Sequence, residues 1–201
     1  AKRVYVLIHA LRRAIEPALQ PHKRRWTYIC SDGDRYYFNP DSPQRCDIFE
    51  FRSFIKTGEQ QEITGKLDLA IKSYAAALDL YSGDLLENEP YADWCWAERE
   101  NLRETALIVA EKVGTQYSKW GAEDQSIAYY KRALRIDPLR EQIHRGLIQS
   151  LLSAGRRAEA LRQYVECAQI LDHELGIEPL PETQRLYSQA SESRTDNASA
   201  F

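Results

Sequence analysis

Apolar residues first recur at Val4, Leu7, Ile8, Leu11 and Ile15, the spacing of one face of an α-helix. Lys2, Tyr5, Val6, His9 and Arg13 fall on the opposite face, with Arg3 and Arg12 at its flanks. Pro17 and Pro21 close this helix, because a proline holds the residue before it away from helical backbone angles. The pattern then turns aromatic and β-branched. Residues 26–30 and 35–38 flank "SDGD", which carries turn chemistry, so a β-hairpin is predicted. The breakers of "NPDSP", residues 39–43, mark a linker.

From Cys46 onward the pattern is helical, and three stretches repeat one another. "AIKSYAAAL", "SIAYYKRAL" and "ALRQYVECA" each place a small residue, a tyrosine four later and a small residue three beyond. The triplets are Ala70/Tyr74/Ala77, Ser126/Tyr130/Ala133 and Ala160/Tyr164/Cys167. The last two lie 34 residues apart, the period of tetratricopeptide helix pairs, and the first stands 56 residues ahead of the second, which predicts an insertion. Small residues let helices approach closely while the ring fills the gap between successive pairs. Gly114 and Tyr117 suit the first helix of the second pair, "AGRR" at 154–157 suits a turn, and "IDPLRE" reads as a helix start with Asp137 as N-cap and Pro138 in the first turn. The fold expected is mainly α: a tetratricopeptide-like helical-repeat array behind a small N-terminal helix and β-hairpin. Residues 188–201 hold little apolar content, and a flexible tail is expected over 191–201.

Composition changes this picture in one respect. Residues 1–25 hold seven basic side chains against one acidic, a net of +6, so the rest of the chain carries −9 against a total of −3. Such a split suggests one end built for a polyanion. The four cysteines form no C-x-x-C pair and fit packed, reduced thiols of a cytoplasmic chain. No apolar run approaches the roughly 18 residues of a membrane span, so no membrane partner is expected. The absence of methionine, with helical pattern at the first residue, suggests a piece of a longer protein.

The downstream motifs resemble those of the bacterial transcriptional activator domain of SARP-type regulators. They are "CDIFEF" with Asp47 and Phe51, "ALDLYSGDLL" at 77–86, "DWCWAERENLRE" at 93–104, "IDPLREQIHRGLIQSLLSAGRRAEALRQY" and "ELGIEPLPETQRLY". In that family a winged-helix domain of the OmpR type precedes the helical one. "VYVLIHALRRAIEP" is similar to its recognition helix and residues 26–38 to its wing. The resemblance implies domains at 1–42 (end of the winged helix) and 43–190 (helical activator domain). It implies a sequence-specific regulator that binds double-stranded promoter DNA and recruits RNA polymerase, localised to the bacterial cytoplasm and nucleoid. The apolar side of the first helix then packs inward. Tyr5, Val6 and His9 meet base edges, while Lys2, Arg3, Arg12, Arg13, Lys23, Arg24, Arg25 and Arg35 meet the backbone of DNA.

A different class of reading is a helical-repeat adaptor or ligand-sensing module that docks a peptide, or a second copy, in its concave groove. Ile108, Glu111, Thr115, Ser118, Arg145, Gln149 and Leu152 have the spacing to line it. Trp94 and Trp96 could form a ligand cage, although aromatics in helical arrays belong mostly to the core. Glu98, Arg99, Glu100 and Arg103 read as surface ion pairs. Catalysis has no support: His9, His22, His144 and His173 are scattered, no metal-ligand spacing or phosphate loop occurs, and no enzyme, metal or cofactor is expected.

Overall fold

A computed structural model describes residues 2–17, 26–39, 41–42, 45–89 and 91–192, without the side chains of Lys2 and Arg3. The chain divides into two compact units, Ala1–Cys46 and Asp47–Phe201.

The first unit holds α1 (Lys2–Ile15), β1 (Ile29–Asp32) and β2 (Arg35–Phe38). The strands pair antiparallel from Ile29 opposite Phe38 to Asp32 opposite Arg35. Two residues close the hairpin, and Gly33 takes φ 57°, a left-handed angle that a side chain would strain.

The second unit is a stack of helix pairs: α2 (Asp47–Ile63) with α3 (Leu67–Leu80), α4 (Trp96–Lys119) with α5 (Glu123–Ile136), and α6 (Glu141–Ser153) with α7 (Arg157–Leu175). α8 (Pro181–Glu192) packs on both α6 and α7 and covers the end of the stack. Each pair turns at a glycine in the left-handed region, Gly65 (74°), Gly121 (71°) and Gly155 (71°), which fall at the same place in each repeat. The small–Tyr–small triplets are the core of these contacts: Ala70, Tyr74, Ala77, Ser126, Tyr130, Ala133, Ala160 and Cys167 are all buried. Tyr74 donates from its hydroxyl to Glu62 (2.8 Å), and Lys112 of the next pair donates to the same carboxylate (2.8 Å). Ser126 donates to the Gly114 carbonyl (2.8 Å), which leaves its oxygen to accept from the Ser150 hydroxyl (2.8 Å). Tyr164 stands apart. It is half-buried and stacks on Tyr187 of α8 with ring centroids 4.4 Å apart.

The insertion predicted by the 56-residue spacing lies between α3 and α4, residues 81–95, ending in a short 3-10 helix, Asp93–Cys95. Three expectations are corrected here. Trp94 and Trp96 are not core but 81% and 62% exposed, because it is Cys95 between them that turns inward. Asp137 does not cap α6, which begins at Glu141. As the residue before a proline, Asp137 is extended (φ −143°, ψ 102°), so the chain turns through Pro138 first, and its carboxylate accepts the Leu139 N–H (3.0 Å) inside that turn. At the far end, α8 continues to Glu192, so Ser191 and Glu192, placed in the expected flexible tail, are helical. The remainder of the expected tail lies outside the described residues. All four cysteines are free; burial, with the charges of Glu141 and Glu166, pushes the Cys167 thiol up to about 12 and leaves it unreactive.

Candidate nucleic-acid interface

On a helix, Tyr5, His9, Arg12 and Glu16 fall in one stripe, and this stripe faces the hairpin. Arg12 is only 9% exposed; its Nε donates to the Ile29 carbonyl (2.9 Å), and its guanidinium lies 5.6 Å from the Trp26 ring centre and 5.4 Å from that of Tyr36. Glu16 accepts the backbone N–H groups of Thr27 (2.8 Å) and Tyr28 (2.9 Å) with one oxygen. His9 meets Trp26 edge-on and stacks with Tyr5. A buried cation between two aromatic faces with a carbonyl at its Nε is a structural group. Arg12 is therefore corrected: it was expected on phosphates, and it holds the helix to the hairpin instead.

The hairpin packs against the polar stripe, and within this chain Val4, Leu7, Leu11 and Ile15 are exposed, Leu7 at 68%. Between these two sides, Val6 and Arg13 face solvent, and Tyr5 and His9 are exposed beyond their stacking on each other and the edge contact of His9 with Trp26. Arg35 is exposed at the start of β2, opposite Asp32. The side chains of Lys2 and Arg3, and all of Lys23, Arg24 and Arg25, lie outside the described residues.

In the array, three of the residues expected to line the groove meet at one cleft of about 370 Å³: Glu111, Arg145 and Gln149, joined by Gln142, Gly146, Glu182 and Leu186. Glu111 is engaged by the Gln142 amide (2.6 and 2.8 Å). Thr115 is bonded to the Tyr130 hydroxyl (2.9 Å), and Leu152 packs against the core, so neither lines the cleft. Ser118 is half-buried and does not line it either. Ile108 is exposed outside it.

Sequence reasoning missed how the insertion is held. Arg99 donates to the carbonyls of Leu85 (2.7 Å), Leu86 (3.2 Å) and Glu89 (3.0 Å), and Arg103 grips the Asp84 carboxylate through Nε (3.1 Å) and a second nitrogen. Tyr81 also donates to Asp84 (2.8 Å). Burial alone would raise the Asp84 carboxyl, but these donors outweigh it and hold it below the ordinary range. Leu86, at φ 53°, occupies the left-handed region without being glycine, a conformation costing about 1–2 kcal/mol that the Arg99 fork helps to hold in place. The two arginines were legible as charges, but their partners lie on a loop whose course no periodicity predicts.

Stacked helix pairs with this register define a tetratricopeptide-like array, and the hairpin unit ahead of it distinguishes the chain from a bare array. Residues 46–190 match the family described as the bacterial transcriptional activator domain, and the chain belongs to that family, that of the SARP-type transcriptional regulators. It is 25% identical over 176 residues to the regulatory protein AfsR of Streptomyces coelicolor, covering 88% of this chain and 17% of AfsR. With DnrI of Streptomyces peucetius the identity is 26%, over 72% of this chain and 53% of DnrI. The chain thus spans about half or less of these relatives. Among solved structures, Mycobacterium tuberculosis EmbR, in complex with a low-affinity phosphopeptide, superposes over 96% of this chain and 50% of its own, with a TM-score of 0.68 and 19% identity. The C-terminal TPR-containing domain of a Plasmodium falciparum FK506-binding protein gives a TM-score of 0.50 at 15% identity, over 78% of this chain and 97% of its own. These likenesses concern the fold.

Proposed function

We propose that this chain carries the DNA-contacting helix and regulatory array of a bacterial transcriptional activator acting in the cytoplasm. In this reading α1 lies in the major groove of promoter DNA with Val6 and Arg13 toward it and Tyr5 and His9 at the edge. Val6 meets a thymine methyl, and Arg13, with Lys2, Arg3, Lys23, Arg24, Arg25 and Arg35, neutralises phosphates. The array of helix pairs then contacts RNA polymerase. One observation carries the reading: the hairpin consumes Arg12 and Glu16, and this leaves Arg13 and Val6 in solvent on the most basic segment of a transcriptional regulator's chain. A second reading rests on the cleft beside Arg145, whose guanidinium has no partner among the described residues and could take an acceptor from a docked peptide or a second copy.

The test is the salt dependence of duplex binding by the full regulator. With about five of these seven side chains on phosphate at once, the slope of log affinity against log salt should be near −4 to −5. Arg13→Ala should flatten that slope by about 1 and leave the fold intact. Arg12→Ala should instead disturb the near-ultraviolet signal of Trp26, since it empties the space between helix and hairpin. No binding by the intact regulator at about 50 mM salt, where phosphate contacts are strongest, would sink the reading.

A further inference from the structure

The helix-pair rhythm is broken once, by residues 81–95, and the break is built rather than slack. Arg99 and Arg103 reach from α4 to fix its carbonyls and its one well-paired carboxylate, and Leu86 is held in a strained conformation. The wall so formed closes one side of an open cleft of about 340 Å³, within the size range of small-molecule sites. Its floor is Phe51 and Leu102, both buried, and Ile48, Leu80, Leu85 and Leu86 add apolar surface.

The charge of this cleft is one-sided. Asp47, Asp84 and Glu87 line it, and no lysine, arginine or histidine among the described residues does. Asp84 is committed to Arg103 and Tyr81, but Asp47 and Glu87 have no cationic partner among the described residues. The Glu87 carboxylate folds back over the wall, where a Cβ on Gly83 would meet it at 3.1 Å. Two exposed carboxylates without an ion-pair partner, beside an apolar floor, repel an anion, give a neutral molecule only its buried area, and attract a cation through a water-screened charge. The cleft on the other side of the same wall shares Asp84 and Glu87 with it but adds three arginines and has little apolar floor; two of the three are spent on Asp84 and on the carbonyls of Leu78 and Tyr81.

We propose that the cleft between α2 and the wall of residues 81–87 is a binding site for a small apolar or aromatic molecule carrying a protonated amine. The ring lies on Phe51 and Leu102, and the ammonium sits between Asp47 and Glu87. This goes beyond the DNA-binding reading and does not depend on it, since every residue of the site belongs to the helical array.

The experiment uses the whole chain with labelled methyl groups, titrated with tryptamine and with indole-3-propionate, which keeps the ring but replaces the ammonium by a carboxylate. Tryptamine should shift the methyls of Ile48, Leu86 and Leu102 and bind about tenfold more tightly than the propionate. Glu87→Gln, an exposed and therefore benign change, should weaken tryptamine about threefold and narrow the gap between the two ligands. The proposal is overturned if tryptamine leaves those methyls unmoved at about millimolar concentration, if the two ligands bind alike, or if Glu87→Gln changes nothing. None of these outcomes touches duplex binding, so failure here and failure of the promoter reading are told apart.

Discussion

Tyr130 of α5 lies between two glycines on different helices: Gly114 of α4 sets how closely the helices of the second pair approach, and Gly146 of α6 how closely the third pair approaches the second. A Cβ on Gly146 would come within 2.5 Å of the ring, whereas one on Gly114 would sit at 3.4 Å, an ordinary contact. Alanine is the better helix former by about 1 kcal/mol at either place. At Gly114 that gain should survive, and Gly114→Ala should be neutral or stabilising by up to about 1 kcal/mol. At Gly146 overpacking of a buried ring outweighs it, and Gly146→Ala should cost about 1–2 kcal/mol. Urea unfolding of the two variants beside the parent decides this; equal effects would mean that Tyr130 moves aside freely. The triplet around Tyr130 was legible from helical spacing alone. Which glycines its ring meets was not, since Gly114 and Gly146 flank it from opposite directions in the chain.

The third helix pair is joined at the element scale by a buried polar chain. His144 of α6 donates from Nε2 to the Pro138 carbonyl (2.9 Å) and accepts at Nδ1 from the Gln163 amide of α7 (2.9 Å), a pattern only the neutral ring satisfies. Burial lowers its pKa below the usual imidazole value, while the Pro138 carbonyl and the charges of Glu166 and Glu141 oppose that without reversing it. A folded pKa below the unfolded one means stability is full above about pH 6.5 and declines as pH falls toward the folded value, at up to about 1.4 kcal/mol per unit. Melting temperature should therefore drop between about pH 7 and pH 5, and His144→Gln should remove part of that slope. An identical slope in the variant would place the acid sensitivity elsewhere. The scattered histidines of the sequence suggested no role for His144; its partners come from the turn before α6 and from α7. The insertion teaches the same lesson, for Arg103 and Asp84 look like ordinary surface charges until the loop folds back.

For the whole molecule, the division after Cys46 separates a basic helix–hairpin unit from an acidic helical array with its own continuous core. Residues 47–192 made alone should therefore keep their helical circular dichroism and unfold in one cooperative transition, as an array with nearest-neighbour contacts and a covering α8 does. Loss of that transition would show that the array needs the first unit to fold. The sequence by itself determined the helix pairs, the turn at Gly155, the hairpin and the resemblance to the activator domain, because these depend on 3.6-residue periodicity, small residues and local turn chemistry. Only the tertiary structure decided which side of α1 is held, that Trp94 and Trp96 stand in solvent, and which carboxylates of the insertion remain unpaired. Each of those outcomes depends on groups that are distant along the chain. Arg12 looks like any basic residue until the Ile29 carbonyl and two aromatic rings close around it.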